Sequence, residues 1–427
     1  MSTLHPGYFT EGLDADPELA AALEGELARQ RCQIELIASE NLVSRLVLEA
    51  QASVLTNKTV EGLPGARYYG GAAHADAVER LAVERVTRLF GCRCADVQPH
   101  SGSNANAAVF LALLRPGAPI LAMDTAAGGH VSHGHPATLT GRDYRIHRYG
   151  VARDSERIDL DAVRDLARAH RPQLIIAGGS AYPRQIDFAA FRAIADEVGA
   201  VLLVDMAHIA GLVASGLHPH PFPHAQVVTT TTYKSLRGAR GGIILWDDAA
   251  LSARLHAGVF PGVQGSVLLH QVAGKAAALG EALRSEFRLW NEAVLANAQA
   301  LAAILLERGW RLVSGGTDIG LMLMDVRSRG LTGAAAALAL ERAGIACNKN
   351  MLPFDPLPAE QASGLRLSSN AGTTRGFGVA EFRRIGLWID RVLTALAAGS
   401  ADAVERAVAA EVAELCSSFP IYPGRVA

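Results

Sequence analysis

The most informative stretch of this chain reads Val227-Val-Thr-Thr-Thr-Thr-Tyr-Lys234-Ser-Leu-Arg-Gly-Ala-Arg-Gly-Gly242. Its valines and threonines favour an extended strand, because β-branched residues pack well on a pleated surface. The strand ends at Lys234, and a new apolar run, Ile243–Trp246, follows the glycines. A lysine amine at a strand end can be desolvated and directed at a carbonyl carbon, as formation of a Schiff base requires. Taken alone, such a lysine is more commonly a surface residue in a turn.

An upstream segment, Val201-Leu-Leu-Val-Asp205-Met-Ala-His208, indicates what Lys234 could hold. An apolar run that ends in an acid predicts a buried parallel strand with a carboxylate at its C-terminal end, where ligands of α/β sheets bind. An aspartate there and a lysine 29 residues later fit a pyridoxal phosphate (PLP) site. The lysine holds the aldehyde, and the acid keeps the pyridine nitrogen protonated. His208 could hydrogen-bond the ring's phenolic oxygen. Taken alone, Asp205 could be a helix cap or a turn residue.

The bulk properties exclude several classes of protein. The chain has 427 residues, which predicts two domains, and its 50% hydrophobic and 19% charged residues allow a large buried core. A net charge of -2 gives no electrostatic case for binding nucleic acid or an anionic membrane. No apolar run approaches the roughly 18 residues of a membrane span, and residues 1–7 lack the features of a signal peptide. The five scattered cysteines have no zinc-site spacing and predict free thiols in a cytoplasmic protein.

Helices and strands alternate along most of the chain. Residues 13–31 and 77–91 are helix-forming, and in the second segment Asp76 and Glu79 are expected to form a capping-box pair, while Gly91 ends the helix. The short apolar runs that predict strands are Pro119–Met123, Gln173–Ala177, Val201–Val204, Val227–Thr232 and Ile243–Trp246. Strands and helices alternating at this spacing predict an α/β fold, with a mostly parallel sheet covered by helices on both faces.

The last part of the chain predicts a smaller α+β domain. A helical region rich in alanine and leucine runs from Val267 to Arg308, and strands are expected around Leu312 and at Leu321–Asp325. We therefore expect an N-terminal arm and helix over residues 1–35, a PLP-binding large domain over 36–290 and a small C-terminal domain over 291–427.

A segment of small residues, His100-Ser-Gly-Ser103, stands where a helix is expected to begin. Hydroxyl groups and backbone N–H groups at a helix N-terminus can hold a phosphate, assisted by the helix dipole. Ser-Gly-Ser is also an ordinary capping sequence. Beside a PLP lysine, phosphate binding is the better interpretation.

The segment Gly128-Gly-His130-Val-Ser-His133 follows the strand that ends at Met123. Glycines permit close approach of the backbone, and a histidine there can lie flat on an aromatic cofactor. The two histidines could instead ligate a metal or be polar core residues. No third ligand stands nearby, so we expect no metal.

Two further segments could contact a substrate. An arginine on the short strand expected at Gly364-Leu-Arg366 suits bidentate capture of a carboxylate, with a structural salt bridge as the alternative. The glycine-rich stretch Glu61–Gly71 carries an acid and the phenols of Tyr68 and Tyr69, which suit proton transfer at a substrate hydroxyl. The tyrosines could equally be packing residues.

Taken together, these segments resemble the serine hydroxymethyltransferase family, whose members are fold-type I PLP enzymes. The resemblance spans nearly the whole chain, in motifs that follow the family's order: Leu36-Ile-Ala-Ser-Glu-Asn41, Leu55-Thr-Asn-Lys58, Arg67-Tyr-Tyr-Gly-Gly71, Val97-Gln-Pro-His-Ser-Gly-Ser103, Val204-Asp-Met-Ala-His208, Val227–Lys234, Phe260-Pro-Gly262, Asn348-Lys-Asn350 and Thr374-Arg-Gly376. It implies a seven-stranded, mostly parallel sheet in the large domain, a homodimer with shared active sites or a tetramer, PLP as cofactor and tetrahydrofolate as co-substrate.

The resemblance also implies a role for each matching residue. The expected catalytic residues are Lys234, which would carry the PLP Schiff base, Asp205, His130, Glu61 and Tyr69. The other expected cofactor contacts are Ser101, Gly102, Ser103, Ser180, His208, Gly265 and Ser266. The expected substrate contacts are Ser39, Glu61, Tyr68, Tyr69 and Arg366, of which Glu61 and the tyrosines would reach into the neighbouring subunit's site. The expected folate contacts are Asn350, Phe260, Gly129 and Val131.

The implied activity is Cα–Cβ cleavage of an amino acid, serine or a close analogue, with glycine as the product and tetrahydrofolate as the one-carbon acceptor. Positions that depart from the family pattern gather around the site: Thr59, Leu63, Thr125, Ala127, Tyr233 and Ser368-Ser-Asn370. A specialised paralogue, such as a folate-independent threonine transaldolase or aldolase, is therefore the alternative. A PLP-binding scaffold without activity is a third reading.

Overall fold

A seven-stranded sheet positions the candidate site. A computed structural model describes residues 4–5 and 7–424 of the chain. In chain order, the strands are β1 (Ile34–Glu35), β2 (Gly62–Leu63), β3 (Ala66–Arg67), β4 (Cys94–Asp96), β5 (Pro119–Met123), β6 (Arg145–Tyr149), β7 (Leu174–Ala177), β8 (Val201–Asp205), β9 (Val227–Thr231), β10 (Gly242–Trp246), β11 (Arg311–Leu312), β12 (Leu321–Asp325), β13 (Ile345–Ala346), β14 (Asn348–Asn350) and β15 (Gly364–Ser368).

The strand order in this sheet is β4-β10-β9-β8-β7-β5-β6. The strands from β6 to β9 in this order run parallel, whereas β10 runs antiparallel to both β9 and β4. Asp205 at the end of β8 pairs with Thr229 of β9, so Asp205 and Lys234 leave the sheet at the same edge. The predicted α/β fold with a mostly parallel, seven-stranded sheet is confirmed.

Helices cover both faces of this sheet. In chain order, the α-helices of the described residues are α1 (Pro17–Cys32), α2 (Arg45–Gln51), α3 (Ala73–Phe90), α4 (Gly102–Leu113), α5 (Leu139–Asp143), α6 (Leu160–His170), α7 (Phe188–Val198), α8 (Ala210–Ala214), α9 (Ser252–Ala257), α10 (Leu269–Ala282), α11 (Ser285–Glu307), α12 (Gly333–Arg342), α13 (Asn370–Arg375), α14 (Val379–Ala397) and α15 (Ala401–Ser418). Of these, α12, α14 and α15 pack in a separate apolar cluster with β12 and β15. Val227 and Trp246 pack in one apolar cluster, whereas Val228 and Leu245 pack in another. Successive residues of a strand therefore enter different cores, as the period of two in a strand requires.

The expected capping box at the start of α3 is wrong. The helix begins at Ala73, so Asp76 and Glu79 lie inside it, and both are buried. Their carboxylates bind the guanidinium of Arg67 instead: Nε donates to Asp76 Oδ1 (2.8 Å) and Nη2 donates to Glu79 Oε2 (2.5 Å). A buried arginine charge requires such partners, and they attach the β2–β3 hairpin to α3. Gly91 does end the helix, in the left-handed conformation with φ 61°.

The C-terminal part of the chain has a sheet of its own, ordered β11-β12-β15-β14. The helical region expected over residues 267–308 is two helices, α10 and α11. The N-terminal segment joins this part, because β1 pairs with β13 in parallel, with Ile34 opposite Ile345. The boundary expected at residue 290 falls inside α11, and the division into domains stays a prediction.

Helix α11 has the length and composition of a membrane span, alone among the described helices. We expected no uninterrupted apolar run as long as a membrane span, and none is present in the sequence. The composition of α11 as a whole is nevertheless apolar enough for a span. Half of its apolar window is buried inside the protein, as is usual for a core helix. The five cysteines all lie in the described part of the chain and are unpaired.

Candidate active site

A cleft lies at the carboxyl ends of β8 and β9. The residues that line it are Ser101, Gly102, Ser103, His130, Gly179, Ser180, Asp205, Ala207, His208, Thr231, Tyr233 and Lys234. Eight of the residues predicted to contact the cofactor therefore line this one cleft.

Lys234 lies three residues after the end of β9 and is only 5% exposed, so it is not a surface lysine in a turn. Burial, assisted by the charge of Arg366 and opposed by that of Asp205, lowers the pKa of its amine to about 8. Asn41 Nδ2 donates to the Lys234 carbonyl at 2.9 Å and fixes the backbone there. A lysine with a pKa this low has an appreciable unprotonated fraction near neutral pH, so its amine is a nucleophile for an aldehyde.

Asp205 is held in its ionised form. Burial alone would raise its pKa, but a hydrogen bond and charge from His133 outweigh burial, and the pKa lies far below the usual range. Oδ2 lies 2.8 Å from His133 Nε2 and accepts from Asn106 Nδ2 at 2.9 Å. Thr229 Oγ1 in turn donates to Asn106 Oδ1 at 2.7 Å, which orients the amide. A carboxylate so held can keep a proton on a basic nitrogen that approaches it.

The sequence did not identify Asn106 or His133 as partners of Asp205. The sequence pattern suggests only a metal ligand or a polar core residue for His133. No group of three His, Cys, Asp or Glu side chains in the described ranges could hold a metal. Asn106 lies 99 residues before Asp205 along the chain. No local pattern connects residues so far apart; only the packing of α4 on the sheet does.

The histidines of the cleft are neutral. Burial lowers the pKa of His130 to about 4, against the charge of Asp205. Its Nδ1 accepts from the Ser132 N–H at 3.1 Å, which sets the orientation of the ring. Burial also holds the pKa of His208 well below its usual value, with Lys234 adding to the shift. A neutral ring suits contact with an aromatic cofactor or a hydrogen bond to a phenolic oxygen.

The residues Ser101–Ser103, here called the phosphate turn, form the start of α4. Ser101 is the N-cap, and its Oγ accepts from Asn104 N at 3.1 Å. A Cβ added to Gly102 would lie 2.7 Å from Thr231 Cγ2, so a side chain does not fit there. The turn therefore presents backbone N–H groups of a helix N-terminus to the cleft, as a phosphate site does.

The cleft fits PLP by the chemistry of its side chains. The Thr231 hydroxyl is buried and has no hydrogen-bond partner among the described residues, although Thr231 lines the cleft. A bound ligand would satisfy that hydroxyl, since unpartnered buried polar groups are costly. With a nucleophilic amine, an ionised carboxylate and a helix N-terminus in the same cleft, the site offers partners for the aldehyde, the pyridine nitrogen and the phosphate. Thr231 is a further residue that the sequence did not single out.

Arg366 lies on β15 and contacts the backbone of the cleft residue Ser180. Nη1 donates to Ser180 O at 2.8 Å and Nε donates to Asn348 Oδ1 at 3.0 Å. Arg366 makes no ion pair with any residue that the structure describes, so the alternative of a structural salt bridge is not found. Burial lowers the pKa of its guanidinium to about 10. A half-buried cation without an acidic partner is well suited to bind a carboxylate ligand.

The structure does not bring the Glu61 loop to this cleft within one protomer. Tyr68 and Tyr69 are 80% and 41% exposed, and their rings contact each other edge to face. Glu61 Oε1 accepts from Ser266 Oγ at 3.2 Å, so the segment Gly265–Ser266 lies against this loop rather than in the cleft lining.

The remaining predicted contacts also stand outside the cleft lining. Ser39 is half-buried in the turn after β1, Asn350 ends β14 and Val131 is 47% exposed. Gly129 is buried beside the end of β5, where a Cβ would lie 2.1 Å from Met123 O, so only glycine fits. The last of these predicted contacts, Phe260, is half-buried in the helical segment Gly258–Val263.

Comparison with known proteins matches most of this chain to one family. The family model described as "Serine hydroxymethyltransferase" matches residues 13–389. Similar proteins named serine hydroxymethyltransferase come from Hyphomonas neptunium (56% identical over 423 residues, 99% of this chain and 97% of the relative) and Rhizorhabdus wittichii (58% over 428 residues, 99% and 98%). A third, from Sphingopyxis alaskensis, is 58% identical over 423 residues, 98% of this chain and 97% of the relative. This chain therefore belongs to the serine hydroxymethyltransferase family.

Proposed function

We propose that this protein is a PLP-dependent hydroxymethyltransferase that interconverts serine and glycine, with tetrahydrofolate as the one-carbon acceptor. The observation that carries the proposal is the pairing of a buried, weakly basic Lys234 with an ionised Asp205 at neighbouring strand ends. Relatives that cover 97–99% of this chain carry the name of that activity.

PLP, when bound, supplies an electron-withdrawing ring that accepts the electron pair of the breaking Cα–Cβ bond. Lys234 would bind the cofactor's aldehyde carbon through its unprotonated amine. Asp205 would hold a proton on the pyridine nitrogen, and the Asn106 and His133 hydrogen bonds keep its carboxylate oriented and charged. The phosphate turn and Thr231 would hold the phosphate end, and the neutral His130 would contact the ring.

Arg366 is proposed to bind the α-carboxylate of the amino acid, with Ser39 as a second contact. Arg366→Ala should weaken serine binding by about 2 to 5 kcal/mol, because a carboxylate in a closed site loses its partner. PLP binding should stay nearly unchanged, since Arg366 is not among the residues that line the cofactor cleft. Serine KM and PLP Kd, measured on the same preparation, separate the two effects.

The matched control is Arg164→Ala, which removes a half-buried arginine paired with Asp161 and Glu197, outside the cleft lining, and should change neither constant. An equal loss of serine and PLP binding in Arg366→Ala would show that the arginine supports the fold rather than the substrate.

We further propose that the site is completed by a second copy of the chain. Glu61, Tyr68 and Tyr69 have the chemistry for proton transfer at a substrate hydroxyl, yet they lie outside the cleft of their own protomer, and the tyrosines are exposed. A symmetric dimer that carries these loops into the opposite clefts accounts for both facts. Gly265 and Ser266, which accompany Glu61, would then contact the partner's cofactor.

The folate end of the site is proposed to include Asn350, Phe260, Gly129 and Val131. Gly129 and Val131 flank His130 in sequence, and Asn350 ends the strand that neighbours Arg366. The proximity of three of these residues to His130 or Arg366 supports the proposal, and Phe260 is proposed on the family resemblance alone.

The deciding experiment supplies purified protein and PLP with serine or with threonine, each with and without tetrahydrofolate. Serine turnover to glycine that requires tetrahydrofolate is the expected result. Acetaldehyde release from threonine without folate, together with no folate-dependent turnover of serine, would overturn the proposal in favour of a threonine transaldolase or aldolase. None of the relatives described above has a name that indicates a threonine transaldolase or aldolase.

A further inference from the structure

Two of the four lysines in this sequence are buried near the cleft. The lysines are Lys58, Lys234, Lys275 and Lys349, and the other 36 of the 40 Lys and Arg residues are arginines. Lys234 and Lys275 are 5% and 1% exposed. Because arginine is the usual basic residue of this chain, a buried lysine indicates a position that suits a compact ammonium group. Lys234 has a role in the proposed function, whereas Lys275, on α10, lies outside the cleft lining and has none.

The ammonium of Lys275 joins the segment before the phosphate turn to strand β10. Nζ donates to the carbonyl oxygens of Val97 (2.7 Å), Pro99 (2.9 Å) and Gly242 (3.1 Å). Val97 and Pro99 lead directly into the turn, and Gly242 is the first residue of β10. An ammonium group has three donors, and all three are used, so the group is fully committed to these backbone atoms.

The packing around these contacts is too close for side chains. A Cβ on Gly241 would lie 2.1 Å from Lys275 Cε, and a Cβ on Gly242 would lie 2.3 Å from Ser101 O. Gly242 N also donates to Pro99 O at 2.9 Å. The turn, the start of β10 and the lysine stem therefore fit against one another directly, and a displacement of one would displace the others.

Lys275 makes no ion pair within the described ranges. Burial lowers the pKa of its amine to about 7, and the charges of Asp96 and Glu79 oppose that shift. Both acids have other partners: Asp96 Oδ2 lies 2.8 Å from His256 Nδ1, and Glu79 accepts from Arg67. Three carbonyl acceptors around Nζ favour the ammonium form, whose positive charge is directed at the carbonyl groups behind the phosphate turn. There it adds to the positive end of the α4 dipole, which already favours an anion.

We propose that Lys275 is a positioning residue for the phosphate group of PLP: it holds the phosphate turn against β10 and places a positive charge behind it. The proposal rests on the proposed function, because it assigns the phosphate end of the cofactor to that turn. It predicts that Lys275 contributes to the binding of PLP through its phosphate and not through its aldehyde or ring.

The test compares PLP with pyridoxal, which has the same ring and aldehyde but no phosphate. Kd values for both are measured by absorbance titration of the apoprotein, for the wild type, for Lys275→Met and for the control Lys349→Met, which removes an exposed lysine. In Lys275→Met the Kd for PLP should rise about 10- to 100-fold, since buried carbonyl groups lose their donor and the turn loses its charge. The Kd for pyridoxal should change less than about threefold.

Equal weakening of PLP and pyridoxal in Lys275→Met would show a merely structural role, and unchanged PLP binding would show no role; either result overturns the proposal. If Lys275→Met does not fold, Lys275→Gln, which keeps two N–H donors without the charge, is measured in the same way, with the same direction of change expected and the same outcomes overturning the proposal. A wild-type apoprotein that binds neither PLP nor pyridoxal would instead refute the proposed function.

Discussion

The Lys234→Ala variant should turn over no serine and form no covalent link with PLP. Lys234 is the one lysine that lines the cleft, and its lowered pKa of about 8 supplies an unprotonated amine near neutral pH. Lys275 is the other buried lysine, but its three donors are bound to carbonyl oxygens. The expected loss of kcat exceeds about 1000-fold, as is usual when a covalent catalytic group is removed.

Borohydride reduction of the wild-type protein with PLP gives the direct measurement. With only four lysines in the sequence, peptide mass spectrometry assigns the pyridoxyl label without ambiguity, and the label should be on the peptide that contains Lys234. Lys349→Ala serves as the control and should be labelled like the wild type. A label on Lys275, or a Lys234→Ala protein that is still labelled, contradicts the assignment.

The same variant tests whether the sites are shared between subunits. Lys234→Ala and Glu61→Gln homodimers should both be inactive. In a mixed dimer with shared sites, one site receives Lys234 from one chain and Glu61 from the other, so random reassociation should recover about a quarter of the wild-type activity. Recovery of no activity from demonstrably mixed dimers would place Glu61 in the cleft of its own chain, whereas an active Glu61→Gln homodimer would place Glu61 outside catalysis.

Replacing Asp205 with asparagine should lower kcat by about 100-fold or more, because the amide has nearly the shape of the carboxylate but no charge to hold a proton on the pyridine nitrogen. Its amide would also present a donor or a neutral oxygen to His133 and Asn106, which now bind an anion. PLP should still bind through Lys234 and the phosphate turn, so kcat, measured at saturating PLP, is the informative quantity.

Asp390→Asn is the matched control for this loss. Asp390 is also buried and bonded, to Trp310 Nε1 at 2.9 Å and to Arg308 Nε at 2.7 Å, but it lies on α14, outside the cleft lining. It should lower the melting temperature without lowering kcat. An Asp205→Asn enzyme with kcat within tenfold of the wild type would refute the role of the carboxylate.

Sequence reasoning placed the groups that stand at the ends of strands. Lys234 and Asp205 follow apolar runs whose length and composition predict buried strands, and parallel strands put their carboxyl ends at one edge. The phosphate turn was found in the same way, from small residues before a helical run. These signals are local, so one sequence is enough to detect them.

The contacts that tune the site were not predictable, because they join elements far apart in the chain. His133 lies 72 residues before Asp205, to which it is hydrogen-bonded. Nothing in the sequence distinguishes Thr231 from other strand residues, and only the structure shows that its hydroxyl is buried without a partner among the described residues. The capping box failed for a related reason. Asp76 and Glu79 have the spacing of a capping box. Their carboxylates instead bind the buried guanidinium of Arg67, which lies nine residues before Asp76.

The Arg67 anchor has a consequence for how two chains would meet. Arg67 Nη1 also donates to Gly62 O, so the hairpin is tied at both of its strands and to α3. The loop that carries Glu61 and the tyrosines is thereby rigid before association, and docking would lose little conformational entropy at this point. Each subunit would then present its partner with a loop that is already ordered. Such a loop favours a high affinity between the subunits and a fixed distance between the two clefts.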